Sequence, residues 1–215
     1  MTIALPRMNR LPVAERGITI ADFLVPIRIG ERLTVRARHV ALIAAGALLI
    51  ALGARIAIVL PGNPVPITGQ TFGVLVAGGA LGFRRGIAST GLYVALGLVG
   101  LPFFALNRTG LEVLWGSTGG YLVGFIVAAA IVGRLAELGW DRRLIGSVGA
   151  MLIASVAIYA IGVPWLALTT FHGDLGKGIT YGLVPFVVGD AIKVALAAAV
   201  FPAAWWFVGR RTGER

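Results

Sequence analysis

Asp190 and Lys193 stand one helical turn apart inside an otherwise apolar stretch, residues 186–208. An acid or base at membrane depth costs roughly 2.5–3.5 kcal/mol on insertion scales, so such groups usually face a bundle interior or a cavity and carry function. At i and i+3 the two side chains share one helix face. They read either as a ligand-facing fork, Asp190 accepting and Lys193 donating, or as a self-satisfied ion pair that fixes helix packing. Further polar groups gather near the same end of the chain's apolar segments. Thr68, Gln70 and Thr71 follow a proline-rich break, Arg108 and Glu112 fall in a later loop, and Ser117, Thr118 and Tyr121 stand at the start of the helix after it. A few placed polar groups among apolar walls suit a small-molecule site.

Catalysis is hard to build from this inventory. There is no cysteine, so no thiolate nucleophile, disulfide framework or Cys-ligated metal is available. His39 and His172 are far apart, which leaves no cluster for zinc or haem. Gly116-Ser117-Thr118-Gly119-Gly120 lacks the lysine that follows a Walker-type loop, so the chain has no such route to ATP. The expectation is a protein that binds rather than transforms, with no catalytic residues, metal or cofactor.

The elements that must position these residues are membrane helices. Charged residues make up only 13% of the 215 against 58% hydrophobic, and the mean hydropathy is +0.90. A soluble domain carries about 25% charge, so the class is an all-α membrane protein. Six apolar segments are legible, at 39–60, 70–83, 86–101, 119–138, 144–168 and 185–208. The second and third give only about 21–24 Å of helix at 1.5 Å per residue. They read as a tight hairpin turning at Arg84-Arg85 and extended by irregular chain at its outer end. Residues 39–208 thus form a six-span transmembrane domain, flanked by an N-terminal extension, 1–38, and a short tail, 209–215. The extension reads as a cytoplasmic tail or a stretch lying on the membrane surface, and not as a secretory signal.

The net charge of +10 could suggest nucleic acid, but its distribution does not. Fifteen Lys/Arg fall in segments assigned to one side: 1–38, Arg84-Arg85, Arg134 to Arg143, and the C-terminal end. The opposite loops hold only Arg108 and Lys177. That is the positive-inside bias, which makes both termini of the multi-pass protein cytoplasmic. In the first helix Ala41/Ala45 and Ala47/Ala51 repeat small residues at i, i+4. Such repeats serve either internal packing or a flat docking face for another membrane protein.

The chain resembles a known family over residues 39–208: the biotin-specific substrate-binding (S) components of energy-coupling factor (ECF) transporters. The resemblance is carried by Pro64-Val65-Pro66-Ile67-Thr68-Gly69-Gln70-Thr71, Leu81-Gly82-Phe83-Arg84-Arg85-Gly86, Leu96-Gly97-Leu98-Val99-Gly100-Leu101-Pro102, Gly116-Ser117-Thr118-Gly119-Gly120-Tyr121-Leu122 and Gly189-Asp190-Ala191-Ile192-Lys193. Each is weak alone; in this order they are specific. The chain departs from the family at Ser117, where proline is common, at Trp115, and in its N-terminal extension.

The resemblance implies a six-helix S-component fold with a vitamin pocket near the outer surface. It also implies a transmembrane coupling protein with two cytoplasmic ATPase subunits, docked on small residues of the first helix. Carried over to this sequence, the biotin-binding residues are Gln70, Thr71, Tyr93, Arg108, Tyr121, Asp190 and Lys193. Asp190 would accept a ureido N–H, Lys193 would donate to the ureido carbonyl, and Arg108 would receive the valerate carboxylate. Nanomolar capture needs about −12 kcal/mol, which demands near-complete enclosure and predicts that an outer loop folds over the pocket. Alternatives are an S component for thiamin or riboflavin and, more distantly, a small membrane enzyme.

Overall fold

A backbone in hydrocarbon has no water to bond, so its N–H and C=O groups must be satisfied from within, and the apolar stretches form helices. The computed structural model describes residues 19–24 and 32–211. The expectations for the first eighteen residues, for 25–31 and for 212–215 lie outside the described residues. The helices are α1 (Ile20–Leu24), α2 (Arg32–Arg55), α3 (Gln70–Leu98), α4 (Leu111–Trp115), α5 (Gly119–Glu137), α6 (Leu144–Thr170), α7 (Leu175–Gly182) and α8 (Val187–Arg211). Between α2 and α3 a short antiparallel pair, β1 (Ala57–Ile58) and β2 (Ile67–Thr68), sets Ala57 opposite Thr68 and Ile58 opposite Ile67.

Helix α3 is a hairpin. At Gly82 the backbone takes φ +81°, which only glycine adopts freely, and the limbs 70–81 and 83–98 fold back on each other. The return is tight: a Cβ on Gly86 would lie 3.0 Å from the Cα of Gly78. Among the described residues six helical passes result: α2, the two limbs of α3, α5, α6 and α8. The turn sits at Gly82 rather than at the expected Arg84-Arg85, because the chain reverses where a positive φ is free. The arginines continue the helix.

Helix α2 also differs from its expected bounds. It starts at Arg32 and stops at Arg55, so the boundary drawn at 38/39 falls inside one helix. Beyond Arg55 the β-branched run Ile56-Ala57-Ile58-Val59 extends into β1, whose backbone bonds go to β2. Ala47 and Ala51 correct a sequence expectation. They are buried, at 1% and 6% exposure, whereas Ala41 and Ala45 are exposed. An offset of six residues turns about 120° around a helix, so the two pairs cannot share one docking face.

Many of the fully buried positions hold alanine, while many large aliphatic side chains face outward. Ala128, Ala129, Ala154, Ala197 and Ala198 are fully buried, while Leu48, Leu52, Leu152, Val156, Val188, Ile192 and Leu196 are exposed. Lipid is as apolar as leucine, so close packing of small residues is what holds such helices together.

One end of the bundle is tied by charge. Asp22 of α1 accepts from Arg85 at 2.7 and 2.8 Å and from Arg38 at 3.1 Å, and it also bonds the Thr19 hydroxyl at 2.9 Å. Partial burial disfavours its charge, but Arg85 and Thr19 outweigh that and hold the carboxyl well below its usual range. At the same end, in the 140–142 turn between α5 and α6, Asp141 Oδ2 accepts from Trp205 Nε1 at 2.6 Å. The Arg142 guanidinium lies 4.9 Å over the Trp205 ring. Burial pushes the Asp141 carboxyl up to about 6, against the opposing pull of Trp205 and Arg142.

Two outcomes follow for stability. A folded-state value of about 6 for Asp141 lies above the ordinary carboxylate value of about 3.9. The folded protein therefore keeps a proton that the unfolded chain has lost, and stability falls as pH rises from about 4 to about 6. Asp141→Asn should flatten that segment of the melting-temperature profile in detergent without lowering the melting temperature at pH 7.5. Gly82→Ala forces a Cβ to 2.7 Å from Thr19 Cγ2 at a positive φ. It should cost roughly 1–2 kcal/mol, read as a lower melting temperature of the purified protein.

Candidate functional site

The opposite end of the bundle encloses a cavity of about 850 Å³, open solvent at its mouth included. Its existence follows from the short limbs of α3. Residues 70–81 give about 18 Å of helix against the ~30 Å of a hydrocarbon core. Above that limb the chain runs as β1, the proline-rich turn and β2, and Val59, Asn63, Pro64, Val65 and Pro66 roof the cavity. Gln70, Thr71 and Thr68 line one wall. Tyr121, Leu122 and Phe125 of α5, Ile158 and Tyr159 of α6, and Phe186 line others, with Leu106 and Arg108 also present.

Local geometry explains how each polar group is held. The Gln70 amide donates to the Tyr93 hydroxyl and its carbonyl accepts from Thr68 Oγ1 at 2.8 Å, so both ends of the side chain are fixed. Tyr121 reaches inward over Gly162, where any Cβ would strike its ring, and its hydroxyl donates to the Gly182 carbonyl at 2.8 Å. Leu106 and Asn107 adopt left-handed backbone, φ 58° and 59°, just before Arg108. Non-glycine residues at positive φ are uncommon and gather at ligand clamps. Arg108 is exposed and forms no salt bridge with a described carboxylate. Asp190 lies in the first turn of α8, where the helix dipole favours negative charge, and it is only 6% exposed. Lys193 Nζ donates to its Oδ1 at 2.8 Å, and the Tyr159 hydroxyl donates to its Oδ2.

Of the residues expected from sequence, Gln70, Thr71, Arg108 and Tyr121 line the cavity. Tyr93, Asp190 and Lys193 stand one layer behind, Tyr93 against Gln70 and the ion pair against Tyr159. Ser117 braces the roof instead, and Trp115 packs on α6. Ser117 Oγ donates to the Pro64 carbonyl at 3.0 Å, and Trp115 stacks on Trp165 with ring centroids 6.2 Å apart. Trp165 Nε1 in turn donates to the Gly116 carbonyl at 3.1 Å. Asn63, Phe104 and Tyr159 were not anticipated. Tyr159 carries a readable signal, as the single tyrosine within α6. Asn63 is recognisable only as the turn residue of Pro-Gly-Asn-Pro. Its side chain donates to the Tyr181 carbonyl at 3.0 Å and accepts from Val65 N–H at 2.9 Å.

This architecture defines a multi-pass membrane protein that encloses a small-molecule cavity near one surface. Residues 28–210 match the BioY family. The chain is similar to the biotin transporter BioY of Thermotoga maritima, with 42% identity over 156 residues, 71% of this chain and 86% of that one. It is similar also to the biotin transporter BioY of Rhizobium etli, at 36% identity over 162 residues, 71% of this chain and 84% of the other. A crystal structure of the S-component for biotin from an ECF-type ABC transporter superposes with a TM-score of 0.73 at 25% identity, covering 81% of this chain and 94% of that one. The chain belongs to the BioY family, and is a transport component rather than an enzyme.

The roof is held to the rest of the molecule by few bonds. Asn63→Ala removes the bond to the Tyr181 carbonyl and the one that braces the roof from within at Val65, worth about 1 kcal/mol each. Backbone hydrogen exchange of the amides in 59–67 should speed by about tenfold or more, while amides in the middle of α5 stay unchanged.

Proposed function

We propose that this chain captures biotin and serves as the substrate-binding component of an ECF-type ABC transporter. One observation carries the reading: a roofed, mostly apolar cavity combines an exposed arginine, Arg108, that forms no salt bridge with a described carboxylate, with two fixed polar groups, Gln70 held by Tyr93 and Thr68, and Tyr159 backed by Asp190 and Lys193. Biotin has the complementary chemistry. Its carboxylate suits Arg108, its ureido ring offers N–H donors and a carbonyl, and its thioether and aliphatic chain suit Tyr121, Phe125 and Ile158. Hydrogen bonds to charged partners are the strong ones. The Asp190–Lys193 pair therefore gives the ureido ring its selectivity, with Gln70 and Thr71 completing the ring contacts and Tyr93 holding Gln70.

The basic end of the bundle faces the cytoplasm of a bacterial cell, with both termini on that side, and the cavity opens outward. Residues 39–208 carry the binding function. The coupling protein docks on the exposed α2 face that includes Ala41 and Ala45, and its two ATPase subunits supply the energy this chain has no motif to harvest. The names of the relatives and the match to the biotin S-component support this reading.

Isothermal titration of the purified chain with biotin should give saturable binding at one site per chain, uncompeted by thiamin or riboflavin. Asp190→Asn should weaken it by at least about 1.5 kcal/mol, roughly tenfold. Arg108→Ala should weaken biotin by a similar factor and its uncharged amide much less. No saturable binding at micromolar concentration would sink the assignment.

A further inference from the structure

We infer that Tyr159 is the positioning residue that fixes the Asp190 carboxylate for recognition of the ligand's ureido N–H; this rests on the biotin reading. Tyr159 lines the cavity, whereas Asp190 and Lys193 do not. Its hydroxyl donates to Asp190 Oδ2 while Lys193 Nζ holds Oδ1 at 2.8 Å. These two ties differ in kind. Lys193 lies on α8 with Asp190 and moves with it, so it cannot set where the carboxylate points relative to the cavity. Tyr159 lies on α6, and among the described residues its hydroxyl gives the side-chain hydrogen bond that ties Asp190 to another helix.

Tyr159 is itself held from the side. The Tyr121 ring meets it edge-on, with centroids 6.3 Å apart and planes at 87°, and the Tyr121 hydroxyl is anchored on the Gly182 carbonyl. The line Gly182–Tyr121–Tyr159–Asp190–Lys193 therefore runs from α7 through α5 and α6 to α8. An ionised carboxylate has about four acceptor sites. With one taken on each oxygen, acceptor capacity remains for an N–H from the ligand, in an orientation that the α6 tie decides. Orientation of this kind is a common use of a buried polar network, in which the members act together rather than additively. The chemistry selected is a cyclic urea with unsubstituted N–H groups.

The test is a double-mutant cycle on the full-length purified chain. Biotin and biotin methylated on its ureido nitrogens are titrated into the native protein, Tyr159→Phe, Asp190→Asn and the double variant. Tyr159→Phe keeps the ring and the edge-on packing and removes only the hydroxyl. It should weaken biotin about tenfold in the native background, less than twofold in the Asp190→Asn background, and less than twofold for the methylated ligand. A wall residue that merely packs would lower affinity equally for both ligands and in both backgrounds, and that result overturns the assignment. Should Tyr159→Phe melt early, the ratio of its two ligand affinities still reads the hydroxyl's role, and an unchanged ratio overturns it. If the native chain binds no biotin, the functional reading falls and this inference with it. Normal native binding with additive losses removes Tyr159 alone.

Discussion

A charge buried where water cannot reach must be answered by the protein itself, and Asp190 imposes that demand on this molecule. The answer comes from two helices: Lys193 one turn along α8, and Tyr159 across on α6. Placement in the first turn of α8 lowers the cost further, because the unsatisfied N–H groups there favour an anion. Removing either partner would leave a buried charge short of a bond, which is far more costly than the modest net gain of keeping it. The α6–α8 contact is thus constrained at that level by polar geometry rather than by apolar packing alone.

The cavity is the counterpart of a shortage of helix. A span that fell short with nothing above it would leave backbone exposed in hydrocarbon, which membranes do not tolerate. Here the first limb of α3 stops at Gln70, and the chain beyond it pairs with itself as β1 and β2. The irregular backbone is satisfied within that pair and by Asn63 and Ser117, so it can cover an internal space. The hairpin is kept short at the other end by Gly82, and kept narrow by Gly78 and Gly86, whose backbones nearly touch. Small residues in the interior and a roof made of loop are two consequences of the same packing economy.

Much of this was legible in the sequence. Hydropathy marked six passes, and the short second and third segments marked where irregular chain would line a cavity. Gln70, Thr71, Arg108 and Tyr121 could be found because polar residues next to membrane spans are few. Other features were hidden for physical reasons. The conspicuous Arg84-Arg85 pair points to the hairpin turn, but charge does not reverse a chain; the positive φ of Gly82 does, and that glycine carries no such label. Ala47 and Ala51 shared the spacing of Ala41 and Ala45, yet spacing fixes which residues share a face and not which face points outward. Tyr159 escaped because a tyrosine in an apolar helix reads as filler until the group it bonds is known, and Asp190 is thirty-one positions away.

The two ends of the bundle differ in what opening them would cost. The basic end is closed by the charge-assisted bonds that Asp22 accepts from Arg85 and Arg38. Bonds to charged groups are worth about 1.5–3 kcal/mol each. Among the side-chain bonds that pin the roof, those of Asn63 and Ser117 are neutral, and bonds of that kind are worth about 1 kcal/mol. Opening the roof by a few kcal/mol would populate the open form at around 0.1–10%, enough for a ligand to enter from that side. The same arithmetic does not favour passage through the basic end, where several stronger bonds and the apolar core would have to part together. A chain with this asymmetry can equilibrate with one face of the membrane on its own.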